Sequence, residues 1–366
     1  MNADGQQQGE GADGQQQGEE DLRADLVFEG GGVKGIGLAG AYWELCKRGY
    51  EPQCVAGTSA GAITAALVAV GYSGDELKEI VLNEMQFPKF EDPNFWDHFG
   101  AAGDIVEFLK TRGMHSGDYF YDWMREKLKA KGKLKFGDLL VPNPLNEKRQ
   151  YKLQVIASDL SAHSMLVLPR DADQLGVEDP NELEIADAVR MSMSIPVFFE
   201  PVVRKDAHGR AHTIVDGGLL SNYPVWLFDS ETDTPPRFPT FGMLLVAPHQ
   251  SDPLIPKPPA DGPLAPASSP VDFAKAIVET MMEAHDRFYV EQANFARTIP
   301  IPTLGVKTTQ FDIDHEMTLK LFNSGVQAAE HFLESWKFNE YVRAFRTGAI
   351  PGRRESVVAQ AGSARQ

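Results

Sequence analysis

The sequence predicts an α/β fold, on three short β-prone runs that each break at a glycine-rich turn. Leu26-Val27-Phe28 runs into GGGVKG (Gly30 to Gly35), Cys54-Val55-Ala56 into GTSAG (Gly57 to Gly61), and Thr213-Ile214-Val215 into DGG (Asp216 to Gly218). The runs read as strands, and the first two turns open into helix-like sequence.

GTSAG carries the most specific local chemistry. In a G-x-S-x-G strand-to-helix elbow the serine sits at a strained bend that pushes its hydroxyl out of the backbone. Flanking glycines are needed because a Cβ would strike the adjoining strand or helix. Ser59 has Gly57 and Gly61 around it, and the apolar run from Ala62 to Val70 follows. That run suits a buried helix and is too short to span a membrane. Ser59 would then lie at a helix N-terminus, where free N–H groups favour developing negative charge. A chance match in a glycine-rich chain is the competing reading, and context has to decide.

GGGVKG admits three readings. Gly30, Gly32 and Gly35 fit the dinucleotide fingerprint G-x-G-x-x-G. That reading wants an acidic residue about 20 positions on, closing a second strand; Glu51 is near, but Pro52 follows it and the next strand runs into GTSAG. A Walker-type loop fails because Lys34 precedes glycine where Ser or Thr is required. The favoured reading is an oxyanion hole, in which glycines let the N–H groups of Gly31, Gly32 and Val33 crowd onto an oxygen that becomes negative.

A conventional triad would need a histidine to take the serine proton. The nine histidines, at 98, 115, 163, 208, 212, 249, 285, 315 and 331, occupy no context that marks one as a base. Asp216, a strand-end acid followed by Gly217 and Gly218, is the candidate instead. In isolation DGG reads more readily as a strand-ending turn, and the three turns taken together reverse that preference. As a base, an aspartate with an ordinary pKa of about 4 must be tuned by burial or a close hydroxyl.

Together these residues resemble the patatin-like phospholipases, lipid acyl hydrolases that use a Ser–Asp dyad. FEGGGVKG is similar to the family's oxyanion loop with its basic residue, here Lys34; GTSAG to its elbow; and VDGGLLSNYPV to its base segment. VIASDLSAH (155 to 163) resembles its central strand, and AVRMSMSIPVFFEPV (188 to 202) its serine- and proline-bearing turn before the base strand. The resemblance covers roughly residues 25 to 230. It implies a three-layer α/β sandwich around a mainly parallel sheet, Ser59 as nucleophile, Asp216 as base, and no metal or other cofactor. It also implies cleavage of a phospholipid or other acyl-ester lipid through an acyl-serine, with Lys34 a candidate contact for a substrate phosphate. A thioesterase or acyltransferase on the same dyad is the alternative outcome, and a nucleotide-binding protein using the G-x-G-x-x-G loop is the alternative class.

The hydrophobic share of 42% supports a substantial core. Cys46 and Cys54, the two cysteines, read as a helix residue and a strand residue in a reducing compartment. The polar, acidic start lacks a basic region followed by an apolar one, so a cytoplasmic protein with at most peripheral membrane contact is expected. No nucleic-acid partner is expected. The net charge of −17 opposes approach to anionic bilayers.

Two stretches are candidate interfacial patches. REKLKAKGKLK (125 to 135) sets six cations against one acid, although a solvated helix end and linker is the better reading. Phe87, Phe90, Phe95, Trp96 and Phe99 (86 to 99) would line an acyl groove, form a lid, or fold into the core.

The expected organisation is an acidic repeat tail over 1–22, a catalytic domain over 23–349, and a tail over 350–366. Seven prolines in 251 to 270 read as an extended loop. Beyond it a strand is expected over 300–306, with two amphipathic helices. The first sets Phe273, Ile277, Met281, His285 and Phe288 on one face, read as packing in the core, with docking on a membrane as the less favoured alternative.

Overall fold

The computed structural model describes residues 21–85, 117–229, 235–247 and 292–346, with a few positions between 273 and 281. The acidic repeat, the aromatic stretch at 86–99, the proline-rich 251–270 and the tail at 350–366 lie outside the described residues.

An eight-stranded sheet organises the chain. Strands β1 (Arg23–Phe28), β2 (Glu51–Thr58) and β3 (Leu153–Asp159) run parallel to one another. β4 (Ser164–Leu168) returns antiparallel along β3, and β5 (Val202–Lys205) pairs antiparallel with β6 (Ala211–Asp216). β7 (Thr240–Val246) and β8 (Thr298–Pro302) extend the parallel part beyond β1. The architecture is a mainly parallel α/β sandwich, as the sequence predicts.

Alternation along the parallel strands explains the layers. Leu26, Phe28, Val55, Leu153 and Val155 face the main core, shared with helices α1 (Ile36–Lys47) and α2 (Ala60–Val70). Val27, Cys54, Ala56 and Ile156 point to the other face. There Leu227 and Phe228 cover them, with Val141, Met165 and Trp226 packed alongside. The second crossover, from β2 toward β3, carries on from α2 through α3 (Gly74–Glu79), opened by a capping box in which Ser73 and Glu76 bond reciprocally at 3.2 and 2.8 Å. Helix α4 (Asp118–Ala130) packs on α5 (Ile185–Ser192), and α5 lies against β3 and β6. Two C-terminal helices follow, α6 (His315–Ser335) against α1, and then α7 (Phe338–Phe345).

A bulge interrupts β1 against β2 between Ala24 and Leu26. Asp25 fills the gap: its carboxylate accepts the Cys54 N–H at 3.0 Å and pairs with the buried Arg149 guanidinium at 2.6 Å. Burial still lifts the Asp25 carboxyl to about 6 against the pull of Arg149.

Two C-terminal expectations need correction. The last strand is Thr298–Pro302, ending short of 306, because the chain turns through left-handed backbone at Leu304 (φ 55°) and Gly305 (φ 81°). Phe273 and Ile277 fall on helical positions but are exposed, while Val278 is buried. Among the described positions of that stretch, the buried one is therefore not on the expected face, while Met281, which is, is half-buried.

Candidate active site

The three glycine turns leave the sheet at one end because β1 and β2 are adjacent and parallel, with Phe28 in register with Gly57. The third turn arrives by a different route. β2 pairs with the first half of β3, up to Thr58 opposite Ile156, and β6 pairs with the second half, starting at Asp216 opposite Ala157. β4 overlaps both halves of β3, from Val155 to Asp159, so it occupies the other edge. Strands β2 and β6 must therefore share a single edge of β3 and meet end to end. Ser59 follows the last residue of one, and Asp216 is the last residue of the other. Consecutive β3 residues, Ile156 and Ala157, thus set nucleophile and base candidates beside each other.

At the elbow Ser59 has φ 53° and ψ −124° and caps α2. This conformation is strained for a residue with a Cβ and persists only where its surroundings hold it. They do so on both sides. The Thr58 hydroxyl donates to the Ser221 carbonyl at 3.0 Å, and the Ser59 N–H donates to the Ser192 hydroxyl at 2.9 Å. Gly61 is required by close approach, since a Cβ there would lie 2.2 Å from the Phe28 carbonyl oxygen. Gly61→Ala is accordingly expected to cost about 2–4 kcal/mol. Denaturant melts check this, and a wild-type midpoint would refute the packing argument.

Asp216 is fully buried. Its N–H donates to the Ser194 carbonyl at 2.9 Å, and its Oδ1 accepts the Gly218 N–H at 2.7 Å. Oδ2 has no hydrogen-bond partner among the described residues. Desolvation pushes the carboxyl up to about 7, opposed first by the Ser59 hydroxyl and then by the Gly218 N–H. A buried carboxyl poised near neutrality beside a serine hydroxyl is suited to proton abstraction.

The glycine loop is clamped from three sides. Glu29 accepts the Asn222 amide at 3.2 Å and the Leu245 N–H, and the Asn222 amide also donates to the Gly30 carbonyl at 3.0 Å. The Gly30 N–H donates in turn to the Asn222 carbonyl at 3.0 Å. On the outer side the Val33 N–H donates to the Thr308 carbonyl at 3.2 Å. The same carbonyl would lie 2.0 Å from a Cβ on Gly32, whose φ of +54° already favours glycine. Val33, expected as an oxyanion donor, therefore has its N–H engaged by Thr308. Among the described residues no acceptor takes the N–H groups of Gly31 and Gly32. Lys34 is half-buried, its stem against Gly31, and no carboxylate among the described residues pairs with it.

No described histidine is hydrogen-bonded to Ser59 or Asp216. His163, His208, His315 and His331 are exposed. His212 sits on β6, four residues and so about 13 Å along the strand from Asp216. Its Nδ1 is 2.5 Å from Asp159 Oδ2, a pairing that raises its pKa. His98, His115, His249 and His285 lie outside the described residues. No group of three or more His, Cys, Asp or Glu with metal-binding geometry occurs among the described residues.

Sequence reasoning passed over Ser192, Ser194, Asn222, Glu29 and Thr308 as individual residues. The first four had a signal in hand: Ser192 and Ser194 fall in the segment preceding the base strand, Asn222 four residues after Gly218, and Glu29 between a strand end and three glycines. Of the six cations in 125–135, four are ion-paired: Arg125 with Glu184, Lys127 with Glu84, Lys131 with Glu76 and Lys135 with Glu182. That stretch is largely neutralised by its own fold. No described helix is long and apolar enough to cross a membrane.

The chain is 37% identical over 314 residues to the uncharacterized protein YqhO of Bacillus subtilis, covering 86% of this chain and 99% of that one. It is 26% identical over 209 residues to the cUMP-AMP-activated phospholipase of Escherichia coli, covering 54% of this chain and 55% of the relative. Among solved structures, VipD from Legionella pneumophila superposes with a TM-score of 0.49 at 20% identity, covering 85% of this chain and 67% of that one. The patatin-like phospholipase family matches residues 26–229, more than half of the sequence, and with the nearly full-length YqhO relative this shows that the chain belongs to the patatin-like phospholipase family.

Proposed function

We propose that the protein is a lipid acyl hydrolase of the phospholipase A type, cleaving fatty acyl esters through an acyl-serine formed on a Ser59–Asp216 dyad. The observation that carries this reading is the end-to-end meeting of β2 and β6 on one edge of β3. It sets a strained serine beside a buried carboxyl tuned to about 7.

In the first half-reaction Asp216 takes the Ser59 proton as Oγ attacks the ester carbonyl. The carbonyl oxygen becomes negative and is held by the N–H groups of Gly31 and Gly32. Ala60, the first residue of α2, adds the N–H that follows the nucleophile in such elbows. Collapse breaks the ester C–O bond, and protonated Asp216 returns its proton to the departing alcohol. In the second half Asp216 deprotonates water, which attacks the acyl-serine. The fatty acid leaves and Ser59 regains its proton. Lys34, half-buried beside the loop and unpaired among the described residues, is assigned to a substrate phosphate.

The test is the pH profile of acyl-ester hydrolysis, with mass spectrometry of the products from a mixed lipid extract. Asp216 works only when ionised, so kcat/KM should rise with pH through about 7 and then level. The apparent pKa of that limb should barely move with temperature, as for a carboxyl. A limb that falls steeply on warming would identify an imidazole. Free fatty acid and a lyso-lipid are the expected products; transfer of the acyl group to an added alcohol or thiol without free acid would make the protein an acyltransferase.

A further inference from the structure

Ser192 lies outside the dyad and the glycine loop, at the last turn of α5, with no exposed surface. Its hydroxyl is inserted between two backbone groups, accepting the Ser59 N–H at 2.9 Å and donating to the Ile156 carbonyl at 2.6 Å. Thr58 opposite Ile156 is the last paired position of β2 on β3. One residue further the elbow turns away, so the Ser59 N–H and the Ile156 carbonyl no longer reach each other directly. On the same edge β6 has yet to begin, since its first paired residue is Asp216 opposite Ala157. The Ser192 hydroxyl thus stands at the one step of the β3 edge where β2 has ended and β6 has not started.

We propose that Ser192 is the positioning residue of the nucleophile, holding the strained Ser59 backbone in register with β3 so that its hydroxyl faces Asp216. The inference rests on the reading of Ser59 as nucleophile. Two arguments support it. A residue at φ 53° relaxes toward ordinary backbone unless its N–H is tied, and the Ser192 hydroxyl is the acceptor that ties it. The same turn also holds the base, because the Ser194 carbonyl accepts the Asp216 N–H at 2.9 Å. The Ser194 hydroxyl, for its part, accepts from the buried Arg190 guanidinium at 2.5 Å. A single segment, Arg190 to Ser194, therefore fixes nucleophile and base relative to each other.

The experiment compares Ser192→Ala and Ser192→Thr with Ser324→Ala. Ser324 also has a buried hydroxyl, bonded to the Pro302 carbonyl at 2.7 Å between α6 and the end of β8, without contact to the dyad. Each variant is assayed for melting temperature, for kcat and KM on an acyl ester, and for its labelling rate with a fluorophosphonate. Ser192→Ala should lower kcat about 10- to 100-fold with KM nearly unchanged, as expected when a reacting group is displaced by a fraction of an ångström. Its labelling rate should fall in parallel. Ser192→Thr, which keeps the hydroxyl, should recover most of both rates, and Ser324→Ala should lose stability with turnover per labelled site intact. Wild-type kcat per labelled site in Ser192→Ala would overturn the proposal. So would an equal fall in Ser324→Ala, because the effect would then be general loss of stability. Ser59→Ala in the same series separates the two readings: if it still labels and turns over, the nucleophile assignment itself fails, whatever Ser192 does.

Discussion

Ser59→Ala is expected to lower ester hydrolysis by at least roughly 10⁴-fold while leaving the melt within about 1 kcal/mol of the parent. Nucleophile and base act as a unit, so losing the attacking oxygen removes the covalent route whole. What remains is binding and the donors of the glycine loop. The fold should tolerate the change because alanine keeps the Cβ that Ser59 already carries at φ 53°, and the N–H bond to Ser192 is made by the backbone. One secondary effect follows from the electrostatics. The Ser59 hydroxyl is the largest influence lowering the Asp216 carboxyl, so its loss should move that group further up. Thermal melting and release of a chromogenic acyl ester, measured together, check both points. Turnover above a few per cent of wild type with an unchanged melt would remove Ser59 from the nucleophile role.

Much of this site is legible in the sequence because its backbone demands are local. A serine at positive φ, glycines that a Cβ would drive into the Phe28 carbonyl or the Thr308 carbonyl, and a strand ending on an acid leave compositional marks within a few residues. GGGVKG, GTSAG and DGG follow β1, β2 and β6 as the β-prone runs predict. What the sequence does not carry is how those turns meet. That β6 runs antiparallel into the edge vacated by β2 is a property of pairing with β3, and nothing in Thr213-Ile214-Val215 distinguishes that arrangement from a parallel neighbour.

The supporting residues are illegible for a related reason. Ser192, Ser194 and Asn222 are ordinary polar residues whose roles arise from contacts with segments far away in the chain. The Thr308 carbonyl, which occupies the Val33 N–H, belongs to a loop beyond about residue 235, where the resemblance to the family no longer informs. The basic run at 125–135 shows the same limit from the other side: its charge is plain, but the glutamates that pair with it come from α3, its continuation through Glu84, and the segment before α5. Charge counted along the chain overstates charge presented to a surface once the fold has brought partners together.

Asp216→Asn is expected to abolish hydrolysis about as completely as Ser59→Ala while making the protein more stable at alkaline pH. Asparagine keeps the size of the side chain and an oxygen to accept the Gly218 N–H, but it takes no proton from Ser59. The double variant should therefore be no worse than either single one. The stability gain follows from the direction of the shift. The folded carboxyl lies at about 7, above its ordinary 3.8, so the protonated form is favoured in the fold. The stability tied to that group is complete below the unfolded pKa and is lost as pH rises through about 7. Holding the charged carboxylate in a buried site at pH 8 then costs on the order of 4 kcal/mol, which a neutral amide avoids. Melts of Asp216→Asn and wild type should coincide near pH 4, draw apart as pH rises toward about 7, and stay apart above it, with the variant higher. Activity and stability thus move in opposite directions at one residue, as expected where a buried charge is retained for chemistry. Alanine replacements of the nine histidines, one at a time, complete the test. Should one of them lose as much activity as Ser59→Ala while Asp216→Asn still turns over, the base is an imidazole, and the end-to-end meeting of β2 and β6 has another purpose.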